Sequence, residues 1–147
     1  MVQSGVSILI KFILVLALFS SLFSSDLKTE KKIYGVILHT LLPHKTDIKV
    51  WCADKTKEDL FKDMQGVECI TSAIKADFIL LSKELKIKSD AIKFVTSYKL
   101  LQVEKTSAVG GFFWQKGRPN VLFLRKNLQA HKITLPPSMQ EFIEDEL

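Results

Sequence analysis

A short apolar run near the middle of the chain limits the fold more than any other feature. The segment 77–82 reads Asp-Phe-Ile-Leu-Leu-Ser, and its four apolar residues follow one another without the alternation of a half-exposed strand. Such a run is typical of a strand covered on both faces, as in parallel sheets that carry helices on each side. Strand-like segments at 47–52, 67–71 and 92–96 accompany it. The pattern predicts a single α/β domain with a mainly parallel central sheet flanked by helices.

Two helices are predicted around the first of these strands. Apolar residues at i, i+4 spacing favour a helix from about Leu27 to Leu42, which Pro43 ends. Thr56, followed three residues later by an acid, favours a second helix that closes at Gly66. The charged stretch 83–90 is expected to form a short helix or a turn.

The C-terminal third has a different pattern. Gly110-Gly111 precedes an aromatic strand, and 116–119 is typical of a turn before a returning strand at 120–125, which together predict a β-hairpin. A short helix is expected from Lys126 to His131. Pro136 then opens a predicted terminal helix whose apolar face carries Met139, Phe142 and Ile143.

The first 25 residues have the pattern of an export signal. They contain one base, Lys11, followed by about a dozen mostly apolar residues and then by serines. A bilayer-spanning helix needs about 20 apolar residues, so a signal peptide is favoured over a membrane span. Cleavage after Ser25 would place Phe23 where a small residue is expected, and an uncleaved N-terminal membrane anchor therefore stays open. We expect residues 26–147 to form one periplasmic domain.

The charges do not indicate a nucleic-acid-binding protein. The chain has 21 Lys and Arg against 16 Asp and Glu, but they alternate in sign and form no basic stripe interleaved with aromatic residues.

The two cysteines, Cys52 and Cys69, allow two interpretations. In an oxidising compartment they could form a disulfide, and otherwise they are two buried thiols on neighbouring strands.

No motif for catalysis, a metal or a cofactor is present. His39 and His44 are separated by Pro43 and do not share a helix face, and no carboxylate completes a ligand set with them or with His131. The chain contains no G-x-S-x-G elbow, no H-E-x-x-H motif and no phosphate-binding loop. We therefore expect a non-enzymatic protein without a cofactor.

The hairpin supplies the main candidate binding residues: Gly110, Gly111, Trp114 and Arg118. Tryptophan and arginine are frequent in binding hot spots. The structural alternative is that Phe113 packs inward, Trp114 covers a sheet edge and the glycines permit a tight turn. Asp54 is a further candidate, because open α/β sheets bind ligands at the carboxyl ends of their strands. Its alternative role is that of a turn residue bonded to its own backbone.

In the order of these elements the chain is similar to the YfiR-like family of small periplasmic proteins. The resemblance is sharpest from Gly110 to Ile143, where a Gly-Gly pair, a hairpin, a short helix, Ile133-Thr134-Leu135 and a last helix follow one another. Pro136 stands where family members have a serine, and members usually carry more cysteines. The resemblance implies a regulator that binds and restrains a membrane-bound signalling protein, typically a diguanylate cyclase, and that is tuned by disulfides and dimerisation.

The predicted strand order also fits a second class of protein. A single lobe of a periplasmic solute-binding protein would hold a small anionic or aromatic ligand near Asp54, Trp114 and Arg118.

Overall fold

A seven-stranded sheet organises the chain in the computed structural model, which describes residues 26–147. The strands are β1 (Ile48–Cys52), β2 (Val67–Cys69), β3 (Phe78–Leu81), β4 (Ile92–Val95), β5 (Ala108–Gln115), β6 (Arg118–Leu124) and β7 (Ile143–Glu144).

The sheet is mainly parallel, with the order β2-β1-β3-β4-β5-β6-β7. Strands β2, β1, β3, β4 and β5 all pair in parallel, β5 and β6 form an antiparallel hairpin, and the two-residue β7 adds to β6 in parallel. The strand order reverses between β1 and β3. The predicted α/β class and the predicted hairpin are confirmed.

Three α-helices flank the sheet: α1 (residues 26–41), α2 (Tyr98–Val103) and α3 (Arg125–Ala130). Helix α1 ends close to the predicted position, before Pro43. Three 3-10 segments complete the description, at Lys55–Leu60, Ala73–Lys75 and Pro137–Phe142.

The main core lies between α1 and one face of the sheet. Tyr34 of α1 makes edge-to-face contacts with the rings of Phe61, Phe94 and Phe112. Phe94 also lies against Phe78 and Phe123, so that one aromatic cluster connects α1 to four strands and to the 3-10 turn after β1. We call this side of the sheet the α1 face.

The opposite side, the α2 face, has a smaller and mainly aliphatic core. Ile79, Leu81 and Val95 of the sheet pack there against Leu100 and Leu101 of α2. Strand β3 contributes Phe78 and Leu80 to the core on the α1 face and Ile79 and Leu81 to the core on the α2 face. Because both faces are covered, all four residues are buried, as the unbroken apolar run predicted.

The C-terminal segment differs from the prediction. The expected terminal helix is a single 3-10 segment, Pro137–Phe142, and Ile143 leaves it to pair with Phe123 as strand β7. Pairing with the otherwise free edge of β6 gives the backbone groups of Ile143 and Glu144 partners in the sheet.

The turn after β1 also differs from the prediction. Asp54, two residues before Thr56, caps it, and the turn is a 3-10 segment in place of an α-helix. The stretch 83–90 has no regular structure; Leu85 and Ile87 pack from it onto the α2 face.

The predicted signal peptide or anchor, residues 1–25, lies outside the described residues. Within residues 26–147, no helix combines the length and the apolar character needed to span a bilayer.

Candidate functional site: a groove between helix α1 and the hairpin

The outer side of α1 and the neighbouring strand β6 enclose an apolar groove. Its volume is about 240 Å³, and its lining is almost wholly carbon. Helix α1 contributes Lys32, Ile33, Val36 and Ile37, strand β6 contributes Val121, and the C-terminal 3-10 segment contributes Met139 and Phe142. We call this groove the α1–β6 groove.

Val36 is the most exposed apolar residue of this groove. Its side chain is 55% exposed in the middle of α1. Lys28 and Lys32 precede it at i, i+4 spacing, so the three side chains lie in one row along the helix. The groove therefore has an apolar floor and a basic rim on the α1 side.

Trp114 lies on the same side of the hairpin, close to the groove. Its indole Nε1–H donates a hydrogen bond of 2.6 Å to the carboxylate of Glu30, one turn of α1 before Ile33. Its ring also makes an edge-to-face contact with Phe112, and 37% of the residue stays exposed. Trp114 does not line the groove itself, but its bond to Glu30 attaches the hairpin to α1.

Glu30 connects this tryptophan to the 3-10 turn after β1. Its side chain is only 15% exposed, and the second carboxylate oxygen lies 4.0 Å from the ammonium group of Lys57. The charge of Glu30 also contributes, after burial itself, to the raised pKa of Tyr34 one helical turn later. One end of the groove is therefore held by a partly buried polar cluster.

Gly110 and Gly111, two of the predicted binding residues, lie inside the sheet. Both are buried within β5, and a Cβ atom on Gly110 would collide with the backbone oxygen of Leu122. A Cβ atom on Gly111 would lie 2.8 Å from Cγ2 of Val95. The pair permits close packing inside the sheet, and neither glycine lines the α1–β6 groove. The tight turn lies at Lys116 and Gly117, both of which have positive φ.

The structural alternative for the hairpin named a different inward ring from the one that the structure shows. Phe112 is the ring that packs into the main core, whereas Phe113 points to the other face and contacts Tyr98. Arg118 begins β6 at the tip of the hairpin, where it is exposed. Its guanidinium takes part in none of the ion pairs that the described residues form.

Asp54 acts within its own turn. It follows β1 at the carboxyl edge of the sheet, beside the reversal in strand order, where the sequence placed it. Its carboxylate accepts hydrogen bonds from the backbone N–H and the hydroxyl of Thr56, and these bonds lower its pKa. None of the cavities described here is lined by Asp54, so the structure favours the turn-residue alternative.

The two cysteines are free thiols. They lie on adjacent strands, as expected, but Cys69 is opposite Val50, which places Cys52 two residues further along β1. Neighbouring strands lie about 4.8 Å apart and rise about 3.3 Å per residue, so this offset separates the Cα atoms by about 8 Å. A disulfide needs about 7 Å or less. The structure therefore shows the thiol alternative, and burial raises the pKa of Cys52 to about 12.

No group of three or more candidate ligand side chains within residues 26–147 could hold a metal ion. The structure does bring two histidines to one cavity, His44 and His131, which the sequence analysis had not paired.

Comparisons with protein-family models, with curated proteins and with solved structures find no match to this chain.

The groove itself was missed by sequence reasoning. Its signal was Val36, an apolar residue that belongs to neither of the two i, i+4 rows that form the buried side of α1. The contribution of Met139 and Phe142 depends on the C-terminal 3-10 segment, which the sequence did not predict.

Proposed function

We propose that this protein is an exported, non-enzymatic regulator that binds a membrane-bound signalling protein and restrains it by direct contact. The resemblance to the YfiR-like family implies this role. The observation that carries the proposal is the α1–β6 groove, because an open apolar surface of this kind is typical of protein interaction sites.

The groove suits a protein segment better than a small polar ligand. Its lining offers almost no hydrogen-bonding group that could orient a small molecule, whereas an apolar helix would bury Val36 and the neighbouring floor. Trp114, which is 37% exposed and bonded to α1 through Glu30, adds a second exposed apolar side chain on this side of the sheet, and tryptophan is enriched among the residues that dominate binding energy.

We propose that the groove binds an apolar helix with acidic flanks, which belongs to a membrane-bound partner. The rim residues Lys28 and Lys32 favour negative charge beside the apolar contact. The apolar leader ends directly before α1, so a retained leader would hold α1 next to the membrane in which such a partner resides. The contact requires no cofactor and no catalytic step.

The test is co-purification of the full chain, carrying a C-terminal tag, from detergent-solubilised membranes. We expect one membrane protein in near-stoichiometric amount with the parent, and at least tenfold less with Val36→Asp, because a carboxylate would be buried in the apolar contact. Val103→Asp is the matched control. Val103 is also an exposed helix valine, 49% exposed on α2, but it lies outside the groove, and this variant should recover the partner like the parent.

Three results would contradict the proposal. They are recovery of no membrane protein by the parent, equal losses in the two variants, or full recovery by Val36→Asp. Recovery of a second copy of the same chain through the groove would instead indicate a homodimer.

Solute binding remains the second candidate function. A second cavity, at the amino edge of the sheet and described in the next subsection, is the observation that favours solute binding.

A further inference from the structure

A second cavity, of about 410 Å³, lies at the amino edge of the sheet. Two loops enclose it, one connecting α1 to β1 and the other following α3. Its lining comprises Thr40, Leu41, Leu42, Pro43, His44, Lys45, His131, Lys132, Ile133 and Thr134. The volume is within the range of small-molecule sites.

The charge of this lining is one-sided. Two lysines and two histidines line the cavity, together with two threonine hydroxyls, and no acidic residue does. Lys45 bonds to the carboxylate of Asp77, which lines an adjoining cavity together with Asp90, Lys45 and His131. His44, His131 and Lys132 have no carboxylate within ion-pair distance among the described residues. Three of the four basic groups are therefore available to an anion.

The basic side chains of His131 and Lys132, which follow α3, are not needed to cap that helix. Basic side chains often bond to the last carbonyl groups of a helix, but at the end of α3 backbone groups already do so. The N–H of His131 bonds to the carbonyl of Asn127, that of Lys132 to Gln129 and that of Ile133 to Leu128.

Lys132 also has an unusual backbone. Its φ is 56°, in the left-handed region where glycine or asparagine normally ends a helix. A lysine at such a position is strained, and strain of this kind is found at functional sites. Here it delivers a cationic side chain to the cavity.

We propose that this cavity binds a small soluble oxyanion, such as a phosphate group, between Lys132, His44 and His131. Charged and N–H donors on two loops, with threonine hydroxyls beside them, match the several acceptor oxygens of such a ligand. The site lies near the C-terminal end of α1, whereas Trp114 contacts Glu30 near the other end of the described helix. It is therefore separate from the partner contact, and either proposal can fail without the other.

The test is isothermal titration calorimetry of the purified full chain with inorganic phosphate. Sodium chloride holds the ionic strength constant. The parent should bind saturably. Lys132→Gly should bind about tenfold more weakly, since it loses one charge-assisted contact. Glycine adopts positive φ readily, so the variant should fold at least as well as the parent.

Lys116→Gly is the matched control. Lys116 has a φ of 50° in the hairpin turn, so the change removes the same charge and the same strain away from the cavity. It should bind phosphate like the parent.

The proposal is wrong if the parent shows no saturable binding, if Lys132→Gly binds like the parent, or if both variants weaken equally, which would indicate general charge screening. Binding to vesicles that contain phosphatidylglycerol, without binding to inorganic phosphate, would also overturn the assignment to a soluble anion.

Discussion

The two faces of the sheet are covered in different ways. The α1 face carries a sixteen-residue helix over a cluster of aromatic rings, and the α2 face carries a six-residue helix and an irregular stretch over aliphatic side chains. Each face also exposes a helix valine, Val36 on α1 and Val103 on α2. Only Val36 lines one of the cavities described above.

Helix α1 thus combines a buried side with an outer side that exposes Val36 and lines a groove. Tyr34, Leu38 and Leu41 fix one side of α1 in the core, so the other side is presented rigidly. A rigid surface loses little conformational entropy when it binds, which favours a specific contact. The short α2 has no comparable anchor, and we assign it a structural role.

The largest expected effect on stability comes from matched cavities, one on each face of the sheet. Leu38 and Leu101 are both fully buried, one on each helix. Leu38→Ala should lower the free energy of unfolding by about 4 kcal/mol and Leu101→Ala by about 3 kcal/mol, because a six-residue helix can shift to fill the space more easily than α1. Urea unfolding of both variants measures this, and a larger loss at Leu101 would reverse the comparison.

A second prediction concerns the exclusion of water from the core on the α1 face. Cys52 has its pKa raised from 9.0 to about 12, chiefly by burial and then by the neighbouring Cys69. Below pH 9 the thiol stays protonated in both states and does not affect the pH dependence. Above pH 9 the unfolded chain releases the proton while the folded chain holds it, so stability falls with rising pH.

Between pH 8.5 and 10.5, Cys52 should therefore account for about 2 kcal/mol of lost stability. Urea unfolding at the two pH values measures this. Between them, the free energy of unfolding of Cys52→Ala should fall by about 2 kcal/mol less than that of the parent. Cys69→Ala serves as the control, since this less buried thiol should give a smaller difference. Equal losses in the parent and Cys52→Ala would mean that water reaches the thiol.

The smallest expected effect concerns the attachment of the hairpin to α1. Glu30→Gln keeps an oxygen that can accept the bond from Trp114 but removes the charge, and it should cost about 1 kcal/mol of unfolding free energy. In a Trp51→Phe background, where Trp114 is the one remaining tryptophan, fluorescence should report a local change in the same variant. Unchanged stability and unchanged fluorescence would show that the indole is not held by this carboxylate.

The sequence predicts the elements that have a long or repeated pattern. Apolar spacing marked α1, the unbroken run Phe78–Leu81 marked the strand buried on both faces, and a glycine turn between aromatic and apolar runs marked the hairpin. In each case many neighbouring residues favour the same structure, so tertiary contacts do not have to override local preference.

The features that could not be predicted depend on few residues or on distant ones. Helix α2 has fewer than two turns, too few for its apolar period to appear, although Ser97 caps it by accepting a bond from Leu100. Strand β7 exists because Ile143 finds the free edge of β6. Met139 and Phe142, which precede this strand, line the groove, so its C-terminal wall belongs to a segment whose conformation the sequence did not predict.

The central claim is that the outer side of α1 contacts a membrane protein, and photo-crosslinking in intact cells tests it most directly. A photoreactive phenylalanine analogue replaces Val36 in one full-length chain and Val103 in another. We predict one discrete crosslinked membrane protein from position 36 and none from position 103. Crosslinks of equal yield from both positions, or none from position 36, would contradict the account.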